Sequence, residues 1–296
     1  MLPTLTGFLA ALALSSEAVD FPFSADTAPR LVLGFCLLGV NSLAEEFILN
    51  EINYFLNIDK NDNTFLEQQV SEMIEWHRKS MLPMYALYLT DMADKILADQ
   101  YKADDIKKMI VNGRYLYEET VTGLTPYASA FLIRYQNSRS IEYMEKKMDK
   151  RRNKRLKELS ESEEILFEKR LDKLISNFER FLGSLTNAQI NLLKDHSHLT
   201  LYDSKIRLRN RTQRQKLFID FLGNKPTEQE LKVYLDKLLL QDPSITDTDQ
   251  LTFSEVSLDR FQKLIVGMLS ISTSSQREII IRKLLNYARD FENISG

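Results

Sequence analysis

From about Ile52 onward, apolar residues recur along this chain at spacings of three and four, the period of one face of an α-helix. Polar turn residues separate one such stretch from the next. Asn61-Asp62-Asn63-Thr64 reads as a turn. Thr64 and Glu67 then have capping-box spacing for a helix that carries Phe65, Val70, Met73, Ile74 and His77 on or near one face. Ser80–Pro83 reads as a corner that closes this helix, because proline does not continue a helix interior but suits a first turn. Further helices are predicted over Pro83–Ala98 and Ala103–Thr120, and a new start at Thr125-Pro126 leads to Leu159 with a break near Asn137-Ser138. Ser160 and Glu163 have capping-box spacing ahead of Ile165–Leu182, and Gly183 is a C-cap candidate. The remaining pattern predicts helices over Leu185–His198 and Asp203–Leu222, from Thr227 to Leu240, from Thr252 to Ser270, and from Thr273 to Glu292. Thr186-x-x-Gln189 and Thr273-x-x-Gln276 echo one another, each following an apolar helix end, and read as reuse of the same helix-start chemistry.

Residues 1–44 differ from this pattern. Two apolar runs, Leu5–Leu14 and Leu31–Val40, are each about 10 residues long, half of the roughly 20 that a bilayer-spanning helix needs. That length suits the hydrophobic region of a secretory signal, and the small residues Ser42 and Ala44 suit cleavage after Ala44. The alternative is a buried N-terminal helix or hairpin. The chain is accordingly divided into a signal-like apolar segment, 1–44, and a single α-helical domain, 45–296.

Composition supports the helical reading. Nine glycines and seven prolines among 296 residues leave few turn points, which favours long helices over many short strands. No segment shows the Val/Ile/Thr alternation of a strand. The expected fold is all-α, a multi-helix bundle-like domain with antiparallel neighbours and short loops. A net charge of −3 rules out a global field that attracts nucleic acid or membrane, so charge runs are judged locally. The single cysteine, Cys36, excludes an internal disulfide and a Cys-rich metal site.

Candidate chemistry is sparse. Asp59-x-Asn61-x-Asn63 resembles the start of a calcium loop, but Thr64 stands where the turn glycine belongs and Val70 where the bidentate glutamate belongs. His196 and His198 are two apart, whereas metal-binding histidines on a helix sit four apart to share a face. His77 with Arg78 is a candidate acid/base or anion-binding pair, set against a structural reading in which both favour the helix dipole and Trp76 packs near Leu82 and Tyr85. No catalytic constellation, cofactor motif or metal set is read from the residues. Two basic runs remain. One comprises Lys146, Lys147, Lys150, Arg151, Arg152, Lys154, Arg155 and Lys157; the other comprises Lys205, Arg207, Arg209, Arg211, Arg214 and Lys216. A solvated helix face is the default for each, against contact with anionic lipid or nucleic acid.

Trp76-His77-Arg78-x-x-x-Leu82-Pro83-x-Tyr85 resembles the signature segment of an uncharacterised family of bacterial envelope lipoproteins, a domain of unknown function. Tyr54–Asp59, Arg170 through Gln189, and Ser275 through Ala288 resemble further segments of that family in the same order. The resemblance implies an α-helical envelope protein, anchored in the family by an acylated N-terminal cysteine, with no known activity. Leu33-Gly34-Phe35-Cys36 resembles a lipobox, making Cys36 the lipidation candidate, but Phe35 departs from the small residue that precedes the acylated cysteine. The expected function is a non-enzymatic structural or interaction protein of the cell envelope or periplasm. Its partner would be an unidentified protein or the membrane surface, with no cofactor and no transmembrane helix. The alternatives are a cytoplasmic helical protein that binds nucleic acid or acidic partners through 146–157 and 205–216, and a hydrolase centred on His77 and Arg78.

Overall fold

The computed structural model describes residues 41–59 and 61–296. They form α1 (Asn41–Phe55), α2 (Asn63–Trp76), a π-helical turn (His77–Met81), α3 (Leu82–Leu97), α4 (Ala103–Leu132), a 3-10 turn (Ile133–Tyr135) and α5 (Ser138–Glu158). The chain continues through α6 (Glu163–Leu182), α7 (Asn187–Leu199), α8 (Asp203–Gly223), α9 (Glu228–Leu239), α10 (Thr248–Ser270) and α11 (Ser274–Ser295). The fold is all-α, with no strand among the described residues. The expectations placed on residues 1–40, including the one on Cys36, lie outside the described residues. α1 runs without interruption through Ala44 and Glu45.

The long helix α4 lies at the centre and touches α2, α3, α9 and α10. α11 packs along α3, α1 sits on α2 and α5, and α8 on α5 and α9. The successive pairs α6–α7 and α10–α11 cross-pack, α6 against α11 and α7 against α10. Buried apolar side chains from Ile48 to Phe291 join in one cluster, with Phe55, Phe218 and Phe291 among its largest fully enclosed members.

Helix starts carried by local chemistry appear where the sequence places them. Thr186/Gln189, Thr227/Glu230 and Thr273/Gln276 each form a capping box with both halves in place. Asn137 caps α5. Other starts move. Thr64 lies inside α2, whose N-cap is Asp62; that carboxylate makes no cap bond and instead accepts from Arg134 Nη1 at 2.7 Å and Tyr135 Oη at 3.1 Å. Ser162, rather than Ser160, caps α6, and Asp247 starts α10 at Thr248 rather than near Thr252. At α6 the Ser160 hydroxyl is turned back to Lys157 O instead, which leaves the cap to Ser162.

Helix ends explain how so few glycines suffice. Gly183 ends α6 with φ of 74°, as expected. α3 and α9 end instead on Asp99 and Gln241, non-glycine residues with φ of 56° and 55°. There Gln100 N–H donates to Lys95 O at 2.8 Å and Asp242 N–H to Lys237 O at 2.9 Å, the bonds of a Schellman motif.

The predicted start at Thr125-Pro126 is absent: Pro126 lies inside α4, a continuous 30-residue helix. Proline removes the N–H that would bond the carbonyl of Thr122. The Thr125 hydroxyl lies 3.2 Å from that oxygen and 2.5 Å from Asp236 Oδ1 of α9, so its proton sits between the two. Packing on both sides of Pro126 holds a helix whose interior proline alone costs about 3 kcal/mol.

Candidate functional site

The Trp76–Tyr85 segment is not a corner. α2, the π turn and α3 form one uninterrupted helical run from Asn63 to Leu97. Leu82 N–H bonds His77 O, five residues back, which inserts one extra residue into the helix. The insertion coincides with a change in the buried positions. Leu66, Val70, Met73, His77 and Met81 face the core before it, and Leu82, Tyr85, Ala86 and Leu89 after it. Met81 closes the first set and Leu82 opens the second, and the π turn lies at the change between them. Pro83 follows at the start of α3, directly after the π turn, so the missing proline N–H falls at the irregular step of the helix.

The turn encloses a small polar group. His77 is 2% exposed, and its Nε2 lies 3.4 Å from Tyr85 Oη. Tyr85 Oη is 2.5 Å from Thr120 Oγ1 of α4, which also approaches Leu116 O at 2.7 Å. The Tyr85 ring meets Phe291 of α11 edge-on. Burial pushes the imidazole of His77 down to about 4, so it is neutral at physiological pH. An imidazole enclosed to this degree is out of reach of a dissolved substrate in this conformation. Arg78 is half-buried and is not part of this group; the sequence pair His77–Arg78 is therefore divided between interior and surface.

Trp76 seats its ring on Gly123 of α4. A Cβ at Gly123 would stand 1.9 Å from Trp76 Cη2 and Cζ2, so the indole occupies the space a side chain would need. Gly123→Ala is expected to lower stability by about 2 kcal/mol through overpacking. Trp76→Leu should remove most of that penalty. Equal losses for Gly123→Ala in the Trp76 and Leu backgrounds, measured by urea unfolding, would show that the indole is not the obstacle.

The two basic runs are treated differently by the fold. On α5, Arg151 makes a bidentate pair with Glu51 of α1 at 2.9 Å and lies over the Tyr54 and Phe55 rings. Lys147 lies over Tyr54 and Tyr143, Arg152 pairs with Asp149, and Arg155 pairs with Glu158. Lys146, Lys150, Lys154 and Lys157 are exposed. On α8 the run is partly internal. Arg207 is buried and approaches Asp203 at 3.4 Å, while Arg260 of α10 reaches the same carboxylate at 3.3 Å. Burial raises the Asp203 carboxyl, against the pull of Arg207, Arg170 and Arg260. Arg170 of α6 adds a bond to Thr200 at 2.8 Å, so four helices or their ends meet at this ionic centre. Arg214 approaches Gln250 at 3.5 Å. The sequence missed this centre because, of the cations around Asp203, only Arg207 is near it in the chain; Arg170 and Arg260 are remote.

An apolar cavity of about 40 Å³ lies between α1, α2, α4 and α5, lined by Phe55, Val70, Met73, Phe131 and Met148 among others. Among the described residues no group of three or more His, Cys, Asp or Glu side chains is placed to hold a metal. Asp59 and Asn63 are separated by the turn at Asp62 and belong to the entry of α2. His198 stacks on Phe167 at 4.1 Å, while His196 is buried. No described helix is long and apolar enough to cross a membrane.

A family model described as a family of unknown function, DUF6279, matches residues 54–249, more than half of the 296-residue chain, including the whole Trp76–Tyr85 segment. No curated protein and no solved structure matches the chain.

Proposed function

This chain belongs to DUF6279, a family of unknown function, and on that premise we propose that it is a non-enzymatic structural or interaction protein of the cell envelope. The observation that carries the reading is where the polar chemistry lies. The two groups that most resemble reactive centres, His77 with Tyr85 and Asp203 with its arginines, are enclosed and engaged within the fold. The accessible features are helix faces, the exposed lysines of α5 foremost. The signal-like apolar stretch ahead of Ala44 supports export. Anchoring by acylation would fall on Cys36, against the departure at Phe35, and cleavage after Ala44 would release a periplasmic form instead.

The test is cell fractionation combined with mass spectrometry of the mature N-terminus. An envelope protein beginning at acylated Cys36 or at Glu45 is the expected result. A full-length protein confined to the cytoplasm would overturn the reading.

A further inference from the structure

We propose that the outer face of α5 is a docking surface for an anionic lipid bilayer; this rests on the envelope reading and names the partner of one of its helix faces. At about 100° per residue, Lys146, Lys150, Lys154 and Lys157 fall within an arc of about 80° on α5. All four are exposed. The buried side chains of the same helix, Met144 and Met148, lie on the opposite side. The lysine row therefore faces directly away from the body of the protein. The acidic residues Glu142, Glu145 and Asp149 are grouped on the neighbouring arc, so the row itself carries one sign of charge.

A second observation concerns where the rest of the chain attaches. Arg151 meets Glu51, and Lys147 meets Tyr54, so α1 runs antiparallel to α5. Asn41 is ten residues before Glu51, about 15 Å further along at helical rise. It therefore lies level with the C-terminal end of α5. The stretch that holds both apolar runs, Leu5–Leu14 and Leu31–Val40, joins the body at this point. A membrane reached by that stretch, or by an acyl group on it, would lie at the lysine-rich end of α5.

Residue choice favours lipid over nucleic acid. Within the 146–157 run the arginines, which suit phosphate forks and base stacking, are turned to acidic partners: Arg151 to Glu51, Arg152 to Asp149 and Arg155 to Glu158. The exposed cations of that run are lysines, each a hydrated point charge on a flexible stem. The nearest aromatics, Tyr54 and Tyr143, lie under Lys147 rather than between the exposed lysines. A single-strand binding face would need free rings for stacking. Each lysine near an anionic membrane surface contributes about a five-fold gain in partitioning, so the four together give on the order of several hundred-fold at low salt.

The experiment is co-sedimentation of the full-length chain with vesicles of phosphatidylglycerol alone and of phosphatidylcholine alone, at low and high salt. The full chain should bind the anionic vesicles at least a hundred-fold more tightly than the variant carrying Lys146→Gln, Lys150→Gln, Lys154→Gln and Lys157→Gln, an order of magnitude that follows from the same lysine contribution. High salt should erase the difference. Thermal unfolding of the variant should match the parent, because all four side chains are exposed. Equal binding by parent and variant, or no binding by either, would overturn the proposal. So would tighter binding of the parent to duplex DNA or RNA than to anionic vesicles. Failure here leaves the N-terminal processing result untouched, and a cytoplasmic full-length protein that still bound these vesicles would sink the envelope reading alone.

Discussion

Gln276→Leu is expected to destabilise the protein by about 4 kcal/mol, far more than loss of a helix cap. A cap alone costs about 1 kcal/mol. Gln276 makes four hydrogen bonds with one side chain. Its Oε1 accepts from Thr273 N–H at 3.0 Å and Gln189 Nε2 at 2.9 Å; its Nε2 donates to Ser184 O and to Gln189 Oε1, both at 2.9 Å. Gln189 reciprocates while accepting from Thr186 N–H at 2.9 Å. Both side chains are buried, Gln189 completely. Leucine at 276 would leave the Gln189 amide and the Ser184 carbonyl enclosed with lost partners, and each such group costs about 1–3 kcal/mol. Adding Gln189→Leu should then cost much less than it does in the parent, because the stranded amide is removed with it. Chemical unfolding of the four proteins in this cycle measures the coupling. Additive losses would mean that the two amides act as independent caps and that their pairing contributes nothing. Gln276→Glu gives a finer readout: it keeps the cap on Thr273 but sets a buried carboxylate oxygen against the Ser184 and Gln189 acceptors, so at neutral pH it should cost at least as much as leucine.

Acidification should expose the buried imidazole. His77 titrates near the ordinary value of 6.5 when unfolded and at about 4 when folded. The folded state thus holds the neutral form, and the unfolded state takes up the proton first. The stability tied to neutral His77 is fully present above pH 6.5 and is lost as pH falls from there to about 4. The shift corresponds to about 3 kcal/mol. Carboxylates contribute to acid unfolding in the same range, so the comparison is with His77→Phe. That variant should lose about 3 kcal/mol less than the parent between neutral pH and pH 4, whatever its starting stability. Parallel pH–stability curves for the two proteins would show that His77 is not held neutral. The phenylalanine variant also leaves Tyr85 without its 3.4 Å neighbour, while Tyr85 keeps Thr120. Its stability at neutral pH therefore reports the packing of the π turn separately from the proton.

The candidate site was legible as a segment but not as a shape. Trp76, His77, Leu82, Pro83 and Tyr85 stood out in the chain, and proline suggested a corner. The corner reading failed because the core built with α4 and α11 demands burial of one continuous helix on both sides of Pro83. One π turn satisfies it without ending the helix. Arg78 was grouped with His77 by adjacency, whereas adjacent helical positions point about 100° apart and here separate surface from interior. The basic runs failed for a related reason. Counting charges along α8 could not reveal that Arg260 and Arg170 would converge on Asp203 from other helices, or that Gln250 would meet Arg214.

The sequence by itself determined the all-α class and the helix starts at Thr186, Thr227 and Thr273. Those depend on period and on hydrogen bonds that close within three residues, and such short loops need no partner elsewhere in the chain. It also showed that Thr186-x-x-Gln189 and Thr273-x-x-Gln276 are alike. Only the tertiary structure decided that they face each other. A capping glutamine uses its oxygen locally and leaves its amide N–H groups over. Once the pairs α6–α7 and α10–α11 bury those groups away from water, each amide must find an acceptor, and the equivalent side chain 87 positions away supplies it.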